Sequence, residues 1–129
     1  MSQVGIVLIS HSEQIALGLK ELISQAVKNS AVAIAAGTDE GKLGTSLEKI
    51  QRAIDEVHSS AGTLLLFDLG SSLMNAEMAV ELADDDSIKI ADAPFIEGGY
   101  VAAVEAGMGK SLDEVLLASE ATRKHSKKP

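Results

Sequence analysis

Cysteine is absent from the 129-residue sequence, and aromatic residues and arginine are scarce. Without cysteine the chain has no disulfide, no thiol nucleophile and no thiolate metal site. One Tyr, two Phe and no Trp leave few rings on which a base or a sugar could stack. Arginine occurs only as Arg52 and Arg123, neither of them at a predicted strand end, so the bidentate pocket that grips a free phosphate ester is missing.

Long apolar runs and several common motifs are also missing. No apolar stretch approaches the ~20 residues of a membrane span, and no basic leader precedes the first apolar segment, so we expect a soluble cytoplasmic protein. The formal charge of −8 repels a phosphodiester backbone and argues against nucleic-acid binding. The P-loop, G-x-G-x-x-G and G-x-S-x-G motifs do not occur. His58 and His125 have no ligand spacing, so we expect no metal and no cofactor.

Aliphatic residues dominate the 46% of the sequence that is apolar, as in parallel strands buried on both faces. Short apolar runs alternate with helical patterns, which predicts an α/β fold: three layers, α/β/α, with a mainly parallel four-stranded sheet. We predict one domain over residues 1–124 and a basic tail over 125–129. The predicted strands lie near 4–9, 32–36, 62–69 and 88–91, and the predicted helices near 12–28, 45–58, 72–83, 97–108 and 111–124.

Local signals mark the helix starts. Three pairs have the capping-box spacing, namely Ser10 with Glu13, Thr45 with Glu48, and Ser111 with Glu114. Pro94 prevents extension of the fourth strand, and Gly98-Gly99 indicates a pliable turn rather than a helix interior. The helix after the third strand is apolar nearly all round, which indicates either a subunit interface or a helix wedged between the sheet and a neighbouring helix.

His11 stands where the first apolar run ends, and Asp68 ends the third. Right-handed crossovers bring the carboxyl ends of parallel strands to one edge of the sheet, where ligands bind in open α/β folds. Loops 10–12, 37–41 and 68–72 are therefore expected to converge there, supplying hydroxyls, backbone N–H groups and a carboxylate. If Ser10 caps the helix, His11 takes the first helical position, where the helix dipole favours an anion. Asp68 is then expected to fix the tautomer of a nucleophilic imidazole.

Structural roles remain open for both residues. His11 is also explained as an ordinary helix-start residue, and Asp68 as a polar cap that closes a strand. A Ser-His-Asp hydrolase is disfavoured, because Ser10 and Ser12 point away from His11 on a helix.

Three segments together resemble the mannose-type EIIA family of the bacterial phosphotransferase system, and within it the phosphotransfer subunits of phosphoenolpyruvate-dependent dihydroxyacetone kinases. These segments are VGIVLISHS over 4–12, GTDEGKLGTS over 37–46 and FDLGSSLMNAE over 67–77. The resemblance covers residues 1 to about 122. Mannose transporters usually have glycine after the histidine, whereas Ser12 and the Gly-Thr-Asp-Glu-Gly run favour the dihydroxyacetone branch.

The resemblance implies a phosphocarrier with His11 and Asp68 as its catalytic residues. His11 would accept a phosphoryl group from HPr and pass it to ADP bound on the nucleotide-binding kinase subunit. The candidate residues lining the phosphate site are Ser12, Thr38, Gly70, Ser71 and Ser72. The family is homodimeric, which fits the apolar third helix. Some members carry HPr-like and enzyme I-like domains behind this one; the sequence ends at Pro129 without them, so we expect a separate HPr.

Three alternatives accompany this interpretation. The chain is also read as the EIIA component of a mannose-class sugar transporter, since only the resemblance selects dihydroxyacetone. A phosphohydrolase or mutase would use His11 on a free metabolite, but it would need the missing arginine pocket. In a non-catalytic regulatory module, the apolar helix would dimerise and His11 would be incidental.

Overall fold

The computed structural model describes residues 2–129 and contains every predicted strand and helix; Met1, where the predicted domain begins, lies outside the described residues. The strands are β1 (Gly5–Ser10), β2 (Val32–Ala36), β3 (Thr63–Phe67) and β4 (Ile88–Ile90). The helices are α1 (Glu13–Ala26), α2 (Leu47–Val57), α3 (Leu73–Ala83), α4 (Phe95–Gly107) and α5 (Leu112–Ala121). Single 3₁₀ turns span Gly70–Ser72 and Thr122–Lys124. Within residues 2–129 no helix is long and apolar enough to cross a membrane.

The four strands form one parallel sheet in the order β2-β1-β3-β4, which confirms the predicted fold class. Ser10 of β1 lies opposite Ala36 of β2, so these two strands end level with each other. The carboxyl end of β3 lies beside that of β1. All three strands that precede the predicted site loops therefore end at the same edge.

Helices cover both faces of the sheet. Strand residues alternate between the faces, so Ile6 and Leu8 pack under α1, α4 and α5, whereas Val7 and Ile9 pack under α2 and α3. All six residues of β1 are buried, as expected for a central strand between two helical layers. This strand is a rigid support for the residue that follows it, His11.

The prediction of a turn at Gly98-Gly99 is wrong. Both glycines are buried inside α4. A Cβ on Gly98 would lie 2.6 Å from the Cβ of Ala93, and one on Gly99 would lie 3.1 Å from a methyl of Leu19. Glycine is present because α4 approaches its neighbours closely, and the packing outweighs its poor helix propensity.

Two of the three predicted caps are displaced. Ser12, not Ser10, is the N-cap of α1, and Ser46, not Thr45, is the N-cap of α2. In each case a tertiary contact uses the predicted hydroxyl, since Ser10 bonds Asp68 and Thr45 bonds Asn75. The capping box of Ser111 with Glu114 is confirmed in both directions.

Candidate functional site

The imidazole of His11 and the carboxylate of Asp68 meet at the carboxyl edge of the sheet. Nδ1 of His11 lies 3.0 Å from Oδ1 of Asp68, and the backbone N–H of His11 donates to Oδ2 at 2.9 Å. Asp68 therefore holds both the ring and the main chain of the same residue. The contact spans 57 positions of sequence and exists because β1 and β3 are neighbours in the sheet.

Further hydrogen bonds saturate the Asp68 carboxylate. The Ser10 hydroxyl donates to Oδ2 at 2.9 Å, and the Leu69 N–H donates to Oδ1 at 2.7 Å. Partial burial alone raises the pKa of Asp68, but the donors from His11, Leu69 and Ser10 outweigh it and lower the pKa below the ordinary 3.8. Asp68 is therefore ionised at neutral pH.

This charge state determines the tautomer of His11. An ionised carboxylate only accepts hydrogen bonds, so the proton in the bond between Asp68 and His11 sits on Nδ1. The lone pair of the neutral ring is then on Nε2. The hydroxyl of Ser71 lies 2.9 Å from Nε2 and donates to it. One ring nitrogen is thus anchored to Asp68, while the other is available as a nucleophile beside an exposed serine.

His11 also opens onto a surface groove. Its side chain is 25% exposed, against 12% for Asp68. The groove has a volume of about 520 Å³, and its lining comprises His11, Ser12, Glu13, Gln14, Gly37, Gly41, Lys42 and Leu43. One wall is thus the start of α1, whose first N–H groups have no carbonyl partner within the helix. Such a helix end favours an anion.

The position of His11 relative to that helix differs from the prediction. Because Ser12 is the N-cap, His11 precedes the helix instead of occupying its first turn. Its backbone carbonyl accepts a hydrogen bond from Gly44 at 3.0 Å, and its N–H is held by Asp68. The first turn of α1, at Glu13 and Gln14, therefore lines the groove beside His11 rather than including it.

The opposite wall is the loop that follows β2, residues 37–45, called the groove loop below. Inside it the Thr38 hydroxyl accepts from the Lys42 N–H at 3.1 Å, and Gly41 N–H donates to the Thr38 carbonyl at 3.0 Å. Gly44 has a φ of +141°, a conformation that favours glycine, and a Cβ there would lie 2.8 Å from Thr38. These contacts fix the conformation of the loop that forms this wall.

The predicted lining residues occupy different positions around His11. Ser71 contacts Nε2, and Ser12 lines the groove. Ser72 is fully buried and donates to the Leu69 carbonyl at 2.7 Å, so it supports the turn that carries Asp68 and Ser71. Gly70 begins that turn, with open space beside its Cα. The Thr38 hydroxyl is bonded within the groove loop and lies outside the lining.

Three residues have roles at the site that the sequence did not predict. Ser10 donates a hydrogen bond to Asp68, whereas its capping-box spacing predicted a helix cap. Lys42 and Leu43 line the groove from the loop. Both arginines lie elsewhere, because Arg52 pairs with Glu48 on α2 and Arg123 pairs with Asp92. Two lysines stand at this edge of the sheet, because Lys42 lines the groove and Nζ of Lys49 donates to the carbonyl of Ala36, the last residue of β2, at 3.0 Å.

Comparison with known proteins identifies the family. Residues 5–116 match the EIIA-man family, described as the PTS system fructose IIA component. The chain is 41% identical to the "PTS-dependent dihydroxyacetone kinase, phosphotransferase subunit DhaM" of Lactococcus lactis over 86% of this chain and 89% of that protein. It is 36% identical to the "PEP-dependent dihydroxyacetone kinase 2, phosphoryl donor subunit DhaM" of Listeria innocua, over 88% and 94%.

Longer relatives and solved structures agree with this match. The chain spans 26% of the length of the Escherichia coli phosphoryl donor subunit DhaM, to which it is 34% identical over 88% of its own length. The crystal structure of EF1359, a protein of unknown function, is 32% identical with a TM-score of 0.79 and covers 92% of this chain and 93% of its own. The chain belongs to the EIIA-man family of the phosphotransferase system.

Proposed function

We propose that the chain is the phosphocarrier of a phosphoenolpyruvate-dependent dihydroxyacetone kinase. In this role His11 accepts a phosphoryl group from HPr and passes it to ADP bound on the nucleotide-binding kinase subunit. The observation that carries the proposal is the bond from Nδ1 of His11 to Asp68, which leaves Nε2 as the nucleophile at an exposed edge. The names of the Lactococcus and Listeria relatives support the assignment to dihydroxyacetone kinase.

The transfer in begins with the lone pair on Nε2. It forms an N–P bond while the P–N bond to the donor histidine breaks, and that electron pair returns to the donor ring. Nδ1 keeps its proton, so the phosphorylated ring is an imidazolium. The ionised Asp68 lies 3.0 Å from Nδ1 and stabilises this positive charge.

The transfer out reverses the bond changes at His11. An oxygen of the terminal phosphate of ADP attacks the phosphorus, the N–P bond breaks, and its electron pair returns to Nε2. ATP forms on the partner subunit and phosphorylates a hydroxyl of dihydroxyacetone. His11 returns to the neutral tautomer that Asp68 favours, ready for another cycle.

We assign the phosphoryl oxygens to donors around the groove. The Ser71 hydroxyl, which now bonds Nε2, moves to a phosphoryl oxygen when the N–P bond forms. The start of α1 at Ser12 and the backbone N–H of Gly70 add donors. Thr38 and Ser72 act indirectly. Thr38 shapes the groove loop, and Ser72 shapes the turn at residues 68–72. This set holds phosphate less tightly than an arginine clamp, which suits a carrier that must release it.

Exposed apolar side chains beside His11 support protein partners over a free metabolite. Leu43 is 79% exposed and Leu69 61%, and they come from the groove loop and from the turn at residues 68–72. Apolar side chains concentrated at a polar site are typical of a protein interaction surface. The brief contacts of a carrier need only a modest area.

We also propose a homodimer through α3. Met74, Met78 and Leu82 are exposed along this helix, whereas Ala76 and Ala79 face the core. Sedimentation of the purified protein tests this arrangement, with Met78→Glu as the variant. A dimer that Met78→Glu dissociates supports the interface, and a monomeric wild type rejects it.

Radiolabelled phosphoenolpyruvate with purified enzyme I and HPr tests the carrier role. We expect acid-labile, alkali-stable label on the wild type, none on His11→Ala, and full label on the matched control His125→Ala, whose histidine lies in the exposed tail. An unlabelled wild type, or label undiminished by His11→Ala, refutes the proposal.

Purified kinase subunits offered dihydroxyacetone or hexoses then identify the final acceptor. Transfer to hexoses alone would favour a sugar-transport EIIA instead.

A further inference from the structure

The groove loop is joined to helix α3 by a side-chain hydrogen bond. The Asn75 amide Nδ2 donates to Oγ1 of Thr45 at 2.9 Å, and both residues are half-buried. Within the described residues, neither side chain is hydrogen-bonded to His11. The bond nevertheless connects the loop that forms one wall of the groove to the helical segment that carries Ser71.

Asn75 lies four residues after Ser71, which is about one helical turn. The 3₁₀ turn Gly70–Ser72 runs directly into α3, so Ser71 and Asn75 belong to one continuous helical segment. Ser71 contacts Nε2 of His11 from this segment, and Asn75 holds the groove loop from the same segment. The segment therefore sets the position of the serine and of the loop together.

The end of the groove loop held by Asn75 is also the end that contacts His11. Gly44, adjacent to Thr45, donates its N–H to the His11 carbonyl at 3.0 Å. At the other end, Gly37 N–H donates to the Ser10 carbonyl at 3.1 Å. The Ser46 hydroxyl also donates to Asp39 within the loop at 3.0 Å, so the Asn75 bond is the tie that joins this end of the loop to α3. Losing it would let the wall formed by Gly41, Lys42 and Leu43 shift relative to His11.

We propose that Asn75, acting through Thr45, is a positioning residue that holds the groove loop closed at the width needed for phosphoryl transfer. The inference rests on the proposed carrier function of His11. Placement of a reacting group depends on small displacements, so a wall that shifts slows transfer even when the fold is intact. We expect the loss of one net hydrogen bond to slow labelling of His11 about fivefold.

A double-mutant cycle tests this coupling through the rate of labelling from phosphorylated HPr. We expect Asn75→Ala and Thr45→Val to slow labelling to a similar extent, and the double variant to be no slower than either. Thr45→Ser keeps the hydroxyl and should retain the wild-type rate. Glu81→Ala, on an exposed position of the same helix, is the matched control and should also be unchanged. Additive effects, a wild-type rate for Asn75→Ala, or a slow Thr45→Ser would overturn the proposal.

Amide hydrogen exchange separates this inference from the proposed function. In Asn75→Ala the Gly44 amide should exchange faster, while the amide of Leu65 in the central sheet keeps its protection. Unchanged exchange at Gly44 would overturn the inference even if His11 is labelled. If the wild type takes no label, the carrier function fails, and the exchange result still decides whether Asn75 holds the loop.

Discussion

Asp68 combines two tasks in one side chain, because it fixes the imidazole tautomer and holds the backbone of His11. Its four close donors come from Ser10, Leu69 and both the ring and main chain of His11. An asparagine would fit the same space but would present a neutral oxygen to Nδ1. In the proposed mechanism, the negative charge of Asp68 would stabilise the imidazolium that forms when His11 is phosphorylated.

Asp68→Asn is therefore expected to slow phosphorylation of His11 by roughly a hundredfold or more, the scale of a lost acid–base or orienting group. The initial rate of label incorporation measures this. Glu40→Gln is the control, since it removes one negative charge from the groove loop without touching the ring. Equal rates for Asp68→Asn and wild type would show that the carboxylate does not orient His11.

The lowered pKa of Asp68 also predicts a pH dependence of stability. Because the folded pKa lies below the ordinary 3.8, the ionised form contributes stability above about pH 3.8, and this contribution is lost as the pH falls through the folded value. The difference in urea stability between wild type and Asp68→Asn should therefore be largest near pH 7 and should shrink as the pH falls below 3.8. A constant difference across this range would contradict the pKa direction.

At the scale of elements, β1 and β3 show how much of the site the sequence predicts. Each is an apolar run followed by a polar residue, and parallel pairing brings His11 and Asp68 together. The caps were less predictable. Several hydroxyls lie near the starts of α1 and α2. Asp68 bonds Ser10 and Asn75 bonds Thr45, so a neighbouring serine becomes the N-cap of each helix. Those partners lie 58 and 30 positions away in sequence, beyond any local pattern.

Helix α4 shows that packing also decides where glycine stands in a helix, which a local sequence pattern does not reveal. Two glycines make this testable. Gly18 lies in α1, where a Cβ would meet nothing within 4 Å, whereas a Cβ on Gly98 would lie 3.1 Å from Ser119 Oγ and closer still to Ala93. Gly18→Ala should stabilise the protein by about 0.5–1 kcal/mol through helix propensity. Gly98→Ala should destabilise it by about 1–3 kcal/mol through overpacking.

Denaturant unfolding of the two alanine variants measures both changes against the same wild type. Similar stabilisation by both would mean that α4 adjusts without strain. A loss of stability at Gly18 would contradict its assignment as an open helical position.

At the scale of the whole molecule, the two edges of the sheet carry different tasks. His11 and the groove lie at the carboxyl edge, while His58 lies at the amino edge, after α2. Nδ1 of His58 lies 2.6 Å from the hydroxyl of the buried Thr63, and Nε2 lies 3.0 Å from Asp85. This histidine joins the end of α2, the start of β3 and the loop before β4. Its position far from the groove gives it a structural role.

His58→Ala should lower the free energy of unfolding by about 1–2 kcal/mol, because the buried Thr63 hydroxyl loses its partner. The labelling rate of His11 should stay at the wild-type value. Thermal unfolding and label incorporation on the same preparations separate the two effects. A labelling defect in a folded His58→Ala protein would show that the two edges are coupled.

The main chain of His11 is tied on both sides, by the carboxylate of Asp68 and by the amide of Gly44. In the proposed carrier role, neither the donor nor the acceptor protein would have to immobilise this residue on binding, so little ordering entropy would oppose each encounter. Docking would change the surroundings of the ring and leave its backbone in place. Exchange between successive partners would then be fast, with the residence time of each complex set by contacts at the edge of the interface.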